Sequence, residues 1–176
     1  MRVRYRINQF WQAVTASPSE EDLRKVNKVL SPEMISLFRE MQASEQAHSI
    51  NIYKQLRANG DTNQDLLVAA LLHDVGKSRY PLKIWERILI VFGNTFFPRQ
   101  VKRWGKREPS GWVRPFVIAE NHPTWGAEMA EEAGAPTTTV MIIRRHQEVL
   151  PHHANDETVS FEEHLVQRLQ LVDDNS

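Results

Sequence analysis

A histidine and an aspartate, His73 and Asp74, stand side by side at the end of an apolar run, LLVAALLHDVGK. The run is typical of a helix in a protein core, where an unpaired carboxylate is strongly disfavoured. A divalent cation would pair with that carboxylate, and imidazole nitrogen is a common second ligand for such ions. The doublet therefore predicts a metal site, provided that other parts of the chain supply further ligands.

Other possible ligands are spread along the chain. They are His48, His122, His146 and the closing pair Asp173-Asp174. There is no cysteine, which excludes a thiolate site and leaves histidine and carboxylate ligands. This ligand set suits divalent Fe, Mn, Zn, Co, Ni or Mg. Because the ligands are far apart in sequence, they must converge from separate elements, as in other helical metal proteins.

Five segments between about residues 44 and 174 resemble, in order, the motifs of the HD superfamily of metal-dependent phosphohydrolases. The first of these segments carries His48, and the second, HDVGK at 73–77, is similar to the HDIGK form of the family motif. The third, HPTWGAEMAEEAG at 122–134, is similar to the second-metal segment of the HDIG and HD-GYP groups. IIRRHQE at 142–148 resembles their next histidine-bearing helix, and LQLVDD their closing segment. The resemblance implies an all-α, compact helical HD-domain bundle with a central metal site.

The chain departs from the family pattern at three positions. Gln147 follows His146 where the family usually has a second histidine. The GYP signature is absent, since SRYPLK follows HDVGK, which argues against cyclic-di-GMP as the substrate. The final aspartate is doubled, so either Asp173 or Asp174 could be the ligand, and Asp173 is favoured because it directly follows Leu171-Val172.

The resemblance implies a two-metal site with Asp74 as the bridging carboxylate. The first ion would be held by His48, His73, Asp74 and Asp173, and the second by His122, His146 and Asp74. Such ions lower the pKa of a bound water and polarise a phosphoryl oxygen. Asp74 and Lys77 are therefore the expected catalytic residues, and Lys77, Arg144 and Arg145 the expected substrate contacts, with one arginine facing inward. The alternative is a single ion, with His122 and His146 binding phosphate.

Helices are predicted along most of the chain, which has no strong strand pattern. Helix starts are expected at Ser17-Pro18-Ser19 and at Ser31-Pro32, and an end at Asn59-Gly60. Further helices are expected at 63–74, 82–92, from Pro123 to about Ala133, over TTTVMIIRRHQE and over FEEHLVQRLQLVDD, with loops at 108–115 and 151–158. Gly76 is expected to let the backbone turn after the doublet. At 176 residues, we expect one domain spanning 1–176, with 1–43 as an N-terminal helical extension.

Residues 79–114 form a basic, aromatic insert. They contain nine basic and two acidic residues, and Trp85, Trp104 and Trp112, although the whole chain has no net charge. The insert could gather phosphate, dock on a membrane surface or nucleic acid, or be a solvated face.

The leading functional hypothesis is a metal-dependent phosphohydrolase acting on a small phosphorylated molecule, most plausibly a nucleotide. The alternatives are a regulatory nucleotide- and metal-binding module without turnover, and docking through residues 79–114. A cytoplasmic location is expected, because no signal peptide or transmembrane segment is apparent. Peripheral membrane contact remains open, and no specific nucleic acid partner is expected. The oligomeric state is not readable from the sequence.

Overall fold

The computed structural model describes residues 15–150 and 160–175. Two sequence predictions fall wholly or partly outside these ranges: the first part of the N-terminal extension, 1–14, and the polar loop at 151–158. In the described residues the regular structure is entirely helical, which confirms the all-α prediction.

The regular structure of the described residues consists of nine α-helices and two short 3₁₀ helices. The α-helices are α1 Glu20–Val26, α2 Pro32–Arg39, α3 Ala43–Ala58, α4 Gln64–Leu72, α5 Ile84–Phe96, α6 Pro98–Trp104, α7 Arg114–Glu132, α8 Thr137–Arg145 and α9 Phe161–Asp173. The 3₁₀ helices span Val75–Arg79 and Gly111–Val113. The first of these follows directly after the His73-Asp74 doublet.

Several helices begin and end where local sequence signals place them. The side chains of Ser19 and Ser31 accept hydrogen bonds from the backbone N–H groups of Asp22 and Met34, which caps α1 and α2. Gly60 ends α3 with a φ of 89°, a conformation in which glycine is strongly preferred. The β-branched stretch 137–143 is helical, as predicted, in α8.

The core is built around α4. All seven residues from Leu66 to Leu72 are buried, so this helix has no solvent-exposed face beyond its first turn. Helices α3, α8 and α9 pack around it. Ile52 and Leu56, which share a helix face with His48, are fully buried against this core. The apolar helix is therefore the axis of the bundle, and its C-terminal end carries the doublet into the interior.

Two predictions about helix boundaries were wrong. Pro123 does not open a helix; α7 starts at Arg114, with Pro115 in its first turn, and continues through Pro123. The helix predicted at 82–92 extends from Ile84 to Phe96, and Pro98 opens the next helix after the break.

Gly76 has a different role from the expected one. Its φ is not in the left-handed region, so the turn does not require glycine. Instead, a Cβ at this position would lie 2.1 Å from the carbonyl oxygen of His122 and 2.6 Å from the backbone nitrogen of Gly126. The glycine therefore allows the 3₁₀ helix to lie directly against α7, which brings the doublet close to His122.

Candidate metal centre

Six side chains from five parts of the fold converge at the centre of the bundle. His48 lies on α3, His73 and Asp74 follow α4, His122 lies on α7, His146 follows α8, and Asp173 ends α9. His73, Asp74, His122 and His146 are buried, whereas His48 and Asp173 are partly exposed.

The distances between these side chains divide them into two groups that share Asp74. The ligand atoms of His48, His73 and Asp74 lie within 4.8 Å of one another, and so do those of Asp74, His122 and His146. Asp74 Oδ2 is 3.6 Å from His73 Nε2, and Asp74 Oδ1 is 3.2 Å from His122 Nε2. The two oxygens of one carboxylate therefore point to different histidines.

Asp173 lies at the edge of the first group. Its Oδ1 is 2.9 Å from His48 Nε2 and 4.0 Å from His73 Nε2. Asp174 is solvent-exposed. Of the two closing aspartates, Asp173 is thus the one that lies beside the other candidate ligands.

Backbone carbonyl groups fix the orientation of three of the histidines. Nδ1 of His73 donates to the carbonyl of Ala70 at 3.0 Å, and Nδ1 of His146 donates to that of Ile143 at 2.7 Å. Nδ1 of His122 donates to the carbonyl of Ala119 at 2.9 Å. A carbonyl can only accept, so each Nδ1 carries the proton. In the neutral imidazole, Nε2 then has a free lone pair, which is the form that binds a metal.

Helix ends and a proline supply these carbonyl groups. His73 and His146 are the C-terminal caps of α4 and α8, where the last carbonyls of a helix lack backbone partners. His122 lies within α7, but Pro123 has no N–H to donate to the carbonyl of Ala119. That carbonyl accepts from His122 instead, so Pro123 helps to orient the preceding histidine.

The arrangement of Nε2 atoms fits a bound cation. Nε2 of His73 is buried and has no hydrogen-bond partner among the described residues. The Nε2 atoms of His122 and His146 are 3.3 Å apart, and both Nδ1 atoms are already the donors, so in the neutral state two lone pairs face each other. A cation between them would relieve this repulsion, and it would give His73 Nε2 the partner that it lacks.

The groups around Asp74, above all the ammonium group of Lys77, keep its carboxylate ionised. Burial by itself would raise the pKa of Asp74, but Lys77, His73 and His122 outweigh burial and hold the pKa well below its ordinary value. Lys77 lies in the 3₁₀ helix rather than in a continued α4, and its Nζ donates to Asp74 Oδ2 at 2.7 Å. The pKa of Asp173 is also lowered, because the hydrogen bond from His48 and the nearby His73 outweigh burial.

Burial keeps His122 and His146, the two histidines of the second group, neutral. It is the main cause that lowers the pKa of His146 to about 3, and neighbouring His73 and His122 add to this effect. The pKa of His122 is lowered by burial and by Lys77. Metal ligands must be deprotonated, so at neutral pH these two imidazoles are already in the binding form.

A cleft of about 430 Å³ opens beside this centre. Its lining includes polar groups and an apolar edge: Glu45, Lys77, Leu82, Arg87, Ile90, Val91, Asn94, Ala119, Glu120, His122 and Gln147. The volume lies within the range of small-molecule sites, which is roughly 300–1,000 Å³. Gln147, which replaces the usual second histidine, therefore faces the cleft.

The sequence did not single out Glu45 and Arg87, although both line this cleft. Arg87 donates to Glu45 at 2.8 Å and to Gln42 at 2.7 Å, whereas Oε2 of the buried Glu45 lacks a partner among the described residues. Burial raises the pKa of Glu45 above its ordinary value. Its position three residues before His48, on the same helix face, was the signal that could have identified it.

The two arginines beside His146 differ in their surroundings. Both line a second cleft, which also includes Glu120, Thr124 and Gln147. Arg145 pairs with Glu148 at 2.5 Å and with Glu163 at 3.7 Å, while Arg144 is exposed. Arg144 is therefore the better placed of the two to meet an anionic ligand.

The family comparison agrees with this arrangement of helices. Residues 43–173 match the family model described as the HD domain. No curated protein and no solved structure matches the chain. No helix in the described ranges is long and apolar enough to cross a membrane. Because the family match covers most of the chain, including all six converging side chains, the protein belongs to the HD domain family.

Proposed function

We propose that this protein uses two divalent cations to hydrolyse a phosphate ester or anhydride of a small substrate, a nucleotide. The observation that carries the proposal is the position of the Asp74 carboxylate, which belongs to both groups of candidate ligands. A carboxylate that reaches two ions at once is the usual bridge in sites that activate water for attack on phosphorus. We assign His48, His73, Asp74 and Asp173 to one ion, and His122, His146 and Asp74 to the other.

The chemistry of the cations and of the side chains is complementary. When bound, the cations supply Lewis acidity, which lowers the pKa of water and polarises a phosphoryl oxygen. The ionised carboxylate of Asp74 offsets part of their charge in a buried setting. Lys77 is 22% exposed at its side chain, contacts Asp74 and faces the cleft, so its ammonium group can neutralise charge on the phosphoryl group. Arg144 is our candidate for a further phosphate contact.

The cleft supports a compact substrate rather than a polymer. Its volume of about 430 Å³ accommodates a nucleotide-sized molecule. Leu82, Ile90 and Val91 give one edge that can contact a base, and Lys77 marks the end that receives phosphate. Glu45 and Gln147, which also line the cleft, offer acceptors and donors for sugar or base groups.

Metal analysis followed by an assay of hydrolysis products tests the proposal. The purified protein, reconstituted with manganese or iron, should bind two ions per chain and hydrolyse at least one member of a panel of nucleoside monophosphates, triphosphates and cyclic dinucleotides, with the products separated by chromatography. Asp74→Asn should lower the turnover at least about 100-fold and reduce the metal content. Asp174→Asn makes the same chemical change at the exposed aspartate next to Asp173, and it should leave the turnover and the metal content unchanged.

Two results would contradict the proposal in different ways. If the protein holds two ions and binds a nucleotide but hydrolyses no member of the panel, the site regulates or senses rather than catalyses. If the folded protein binds no divalent ion, the assignment of the six ligands is wrong.

A further inference from the structure

Helix α5 turns an apolar face outward. Its large side chains on one side of the helix are between 41% and 63% exposed: Ile84, Trp85, Ile88, Val91, Phe92 and Phe96. At 100° per residue these positions fall within one continuous arc of roughly 140°. Phe97, directly after the helix, is 42% exposed, and its ring centroid is 6.1 Å from that of Phe92. A group of this size is rarely left in water without a binding role.

The inward side of α5 carries two charged residues, Glu86 and Arg87, and their ion pairs hold the helix in place. Glu86 is 2% exposed and binds Arg114 at 2.5 Å, and it also accepts the backbone N–H of Lys83 at 2.8 Å. Arg87 on the same side binds the buried Glu45. Gly93 lies against Phe116 and Val101. Since breaking a buried ion pair is costly, the helix cannot simply rotate to bury its apolar face.

Exposed basic residues follow the apolar face directly. They lie on the outer side of α6 and in the turn after it: Arg99, Lys102, Arg103, Lys106 and Arg107. Within residues 15–150 and 160–175, none of the five forms an ion pair, whereas Arg79, Arg87 and Arg114 of the same segment do. Residues 79–114 carry a net charge of +7 in a chain of no net charge, so the positive field is concentrated here.

We propose that the exposed face of α5, with Phe97 and the five basic residues, is a docking face for an anionic lipid surface. An outward apolar arc with aromatic residues and flanking lysines and arginines matches what an interfacial helix needs. The aromatic and aliphatic side chains would enter the boundary between headgroups and acyl chains, and the basic groups would contact anionic headgroups.

Charge also argues against the main alternative, a second copy of this chain on the same face. A two-fold symmetric contact through α5 brings the same patch of each subunit together, and with it two clusters of unpaired basic residues. Like charges at close range oppose such a contact, whereas an anionic surface neutralises them.

The docking face borders the cleft beside the metal centre. Val91 belongs to both, being 61% exposed on the outward arc and also part of the cleft lining. Docking would therefore hold the cleft at the edge of the lipid surface. The inference does not depend on the proposed hydrolysis, because it concerns binding of the whole chain to lipid.

Vesicle co-sedimentation of the full chain tests the proposal. Wild-type protein should bind vesicles containing phosphatidylglycerol at about 0.1 M salt, bind pure phosphatidylcholine much less, and be released at about 1 M salt, where the screening length is roughly 3 Å. Lys102→Glu/Arg103→Glu should weaken binding roughly 30-fold or more, since each basic residue near an anionic surface contributes about fivefold. Phe92→Glu should weaken binding at least about tenfold.

Matched variants elsewhere on the surface control for charge and folding. Arg24→Glu/Lys28→Glu makes the same charge change on and just after α1, and Phe161→Glu the same aromatic-to-acid change at a residue that is 65% exposed. Both should bind vesicles within about twofold of wild type. Melting temperatures near that of wild type establish that the docking variants are folded.

Three outcomes would overturn the proposal. The first is wild-type protein that binds anionic vesicles no better than neutral ones. The second is vesicle binding that Phe92→Glu and Lys102→Glu/Arg103→Glu leave unchanged. The third is a wild-type dimer in sedimentation that Phe92→Glu converts to monomer without any vesicle binding, which would assign the face to a second copy of the chain.

Discussion

Replacing Gly76 with alanine tests whether close packing between the 3₁₀ helix and α7 positions the metal centre. The added Cβ would lie 2.1 Å from the carbonyl oxygen of His122. Carbon and oxygen atoms in ordinary contact are roughly 3.3 Å apart or more, so the two backbones must separate by about 1 Å. Both contacting groups are backbone atoms, and no side chain can rotate away to make room.

The expected cost follows from other overpacked cores. Inserting a methyl group into a packed interior costs about 1–3 kcal/mol, and more where the backbone must move. For a chain of this size, 1 kcal/mol lowers the melting temperature by about 2–4 °C, so Gly76→Ala should lower it by roughly 2–12 °C. The displacement also moves His122 away from Asp74, so binding of the second ion should weaken at least about tenfold.

Thermal denaturation of the metal-free protein and metal titration of the folded variant measure the two effects separately. Gly126→Ala is the graded control, because its Cβ would lie 3.0 Å from the backbone nitrogen of Gly76, a milder clash on the opposite side of the same contact. It should be less destabilising than Gly76→Ala. A Gly76→Ala protein with wild-type melting temperature and metal affinity would refute the reasoning.

Three further predictions concern the metal centre. If the two ligand groups hold separate ions, His48→Ala and His146→Ala should each leave about one ion per chain, as measured by elemental analysis. Loss of both ions in either variant would contradict the division of the ligands into two sites. Pro123→Ala should stabilise the metal-free protein, since a proline inside a helix costs about 3 kcal/mol relative to alanine. The same substitution restores a backbone N–H, which competes with Nδ1 of His122 for the carbonyl of Ala119, so metal binding should weaken about tenfold or more. Unchanged metal affinity in a titration would show that the proline does not orient His122. The pKa of Glu45 is raised above its ordinary value of 4.5, so the wild-type protein loses stability as the pH rises and this carboxyl group ionises. Glu45→Gln cannot ionise, so its free energy of unfolding should increase relative to that of wild type between about pH 4 and 7 in denaturant titrations. A difference that stays constant over this range would contradict the prediction.

The core of the fold was predictable from local patterns because those patterns are strong. The seven apolar residues that directly precede His73 leave their helix without a polar face, so this helix had to lie inside the bundle. Ser31 before Pro32, and Gly60 after α3, are helix signals that need no tertiary context. The all-α class follows from such elements, and the HD family assignment from the order of the motifs.

Features that depend on contacts between distant residues could not be predicted in the same way. The reason for Gly76 is the backbone of His122, and nothing near residue 76 in the sequence indicates that approach. The burial of Glu86 against Arg114 reverses the usual orientation of an apolar helix, so α5 exposes the residues that a periodicity argument would bury. The roles assigned to the six ligands remain predictions, although the fold brings all six together.

The orientation of the buried histidines has a simple local origin that sequence reading can use. Each of them sits where the helical hydrogen-bond pattern leaves a carbonyl unpaired: His73 and His146 at helix C-termini, and His122 directly before a proline. The unpaired carbonyl takes the Nδ1 proton, and Nε2 is thereby directed toward the centre of the bundle. His48, in the middle of α3, has no such carbonyl and binds Asp173 through Nε2 instead. A histidine at a helix end or before a helical proline is therefore oriented for metal binding by the backbone alone, whereas a mid-helix histidine depends on a side chain from elsewhere in the fold.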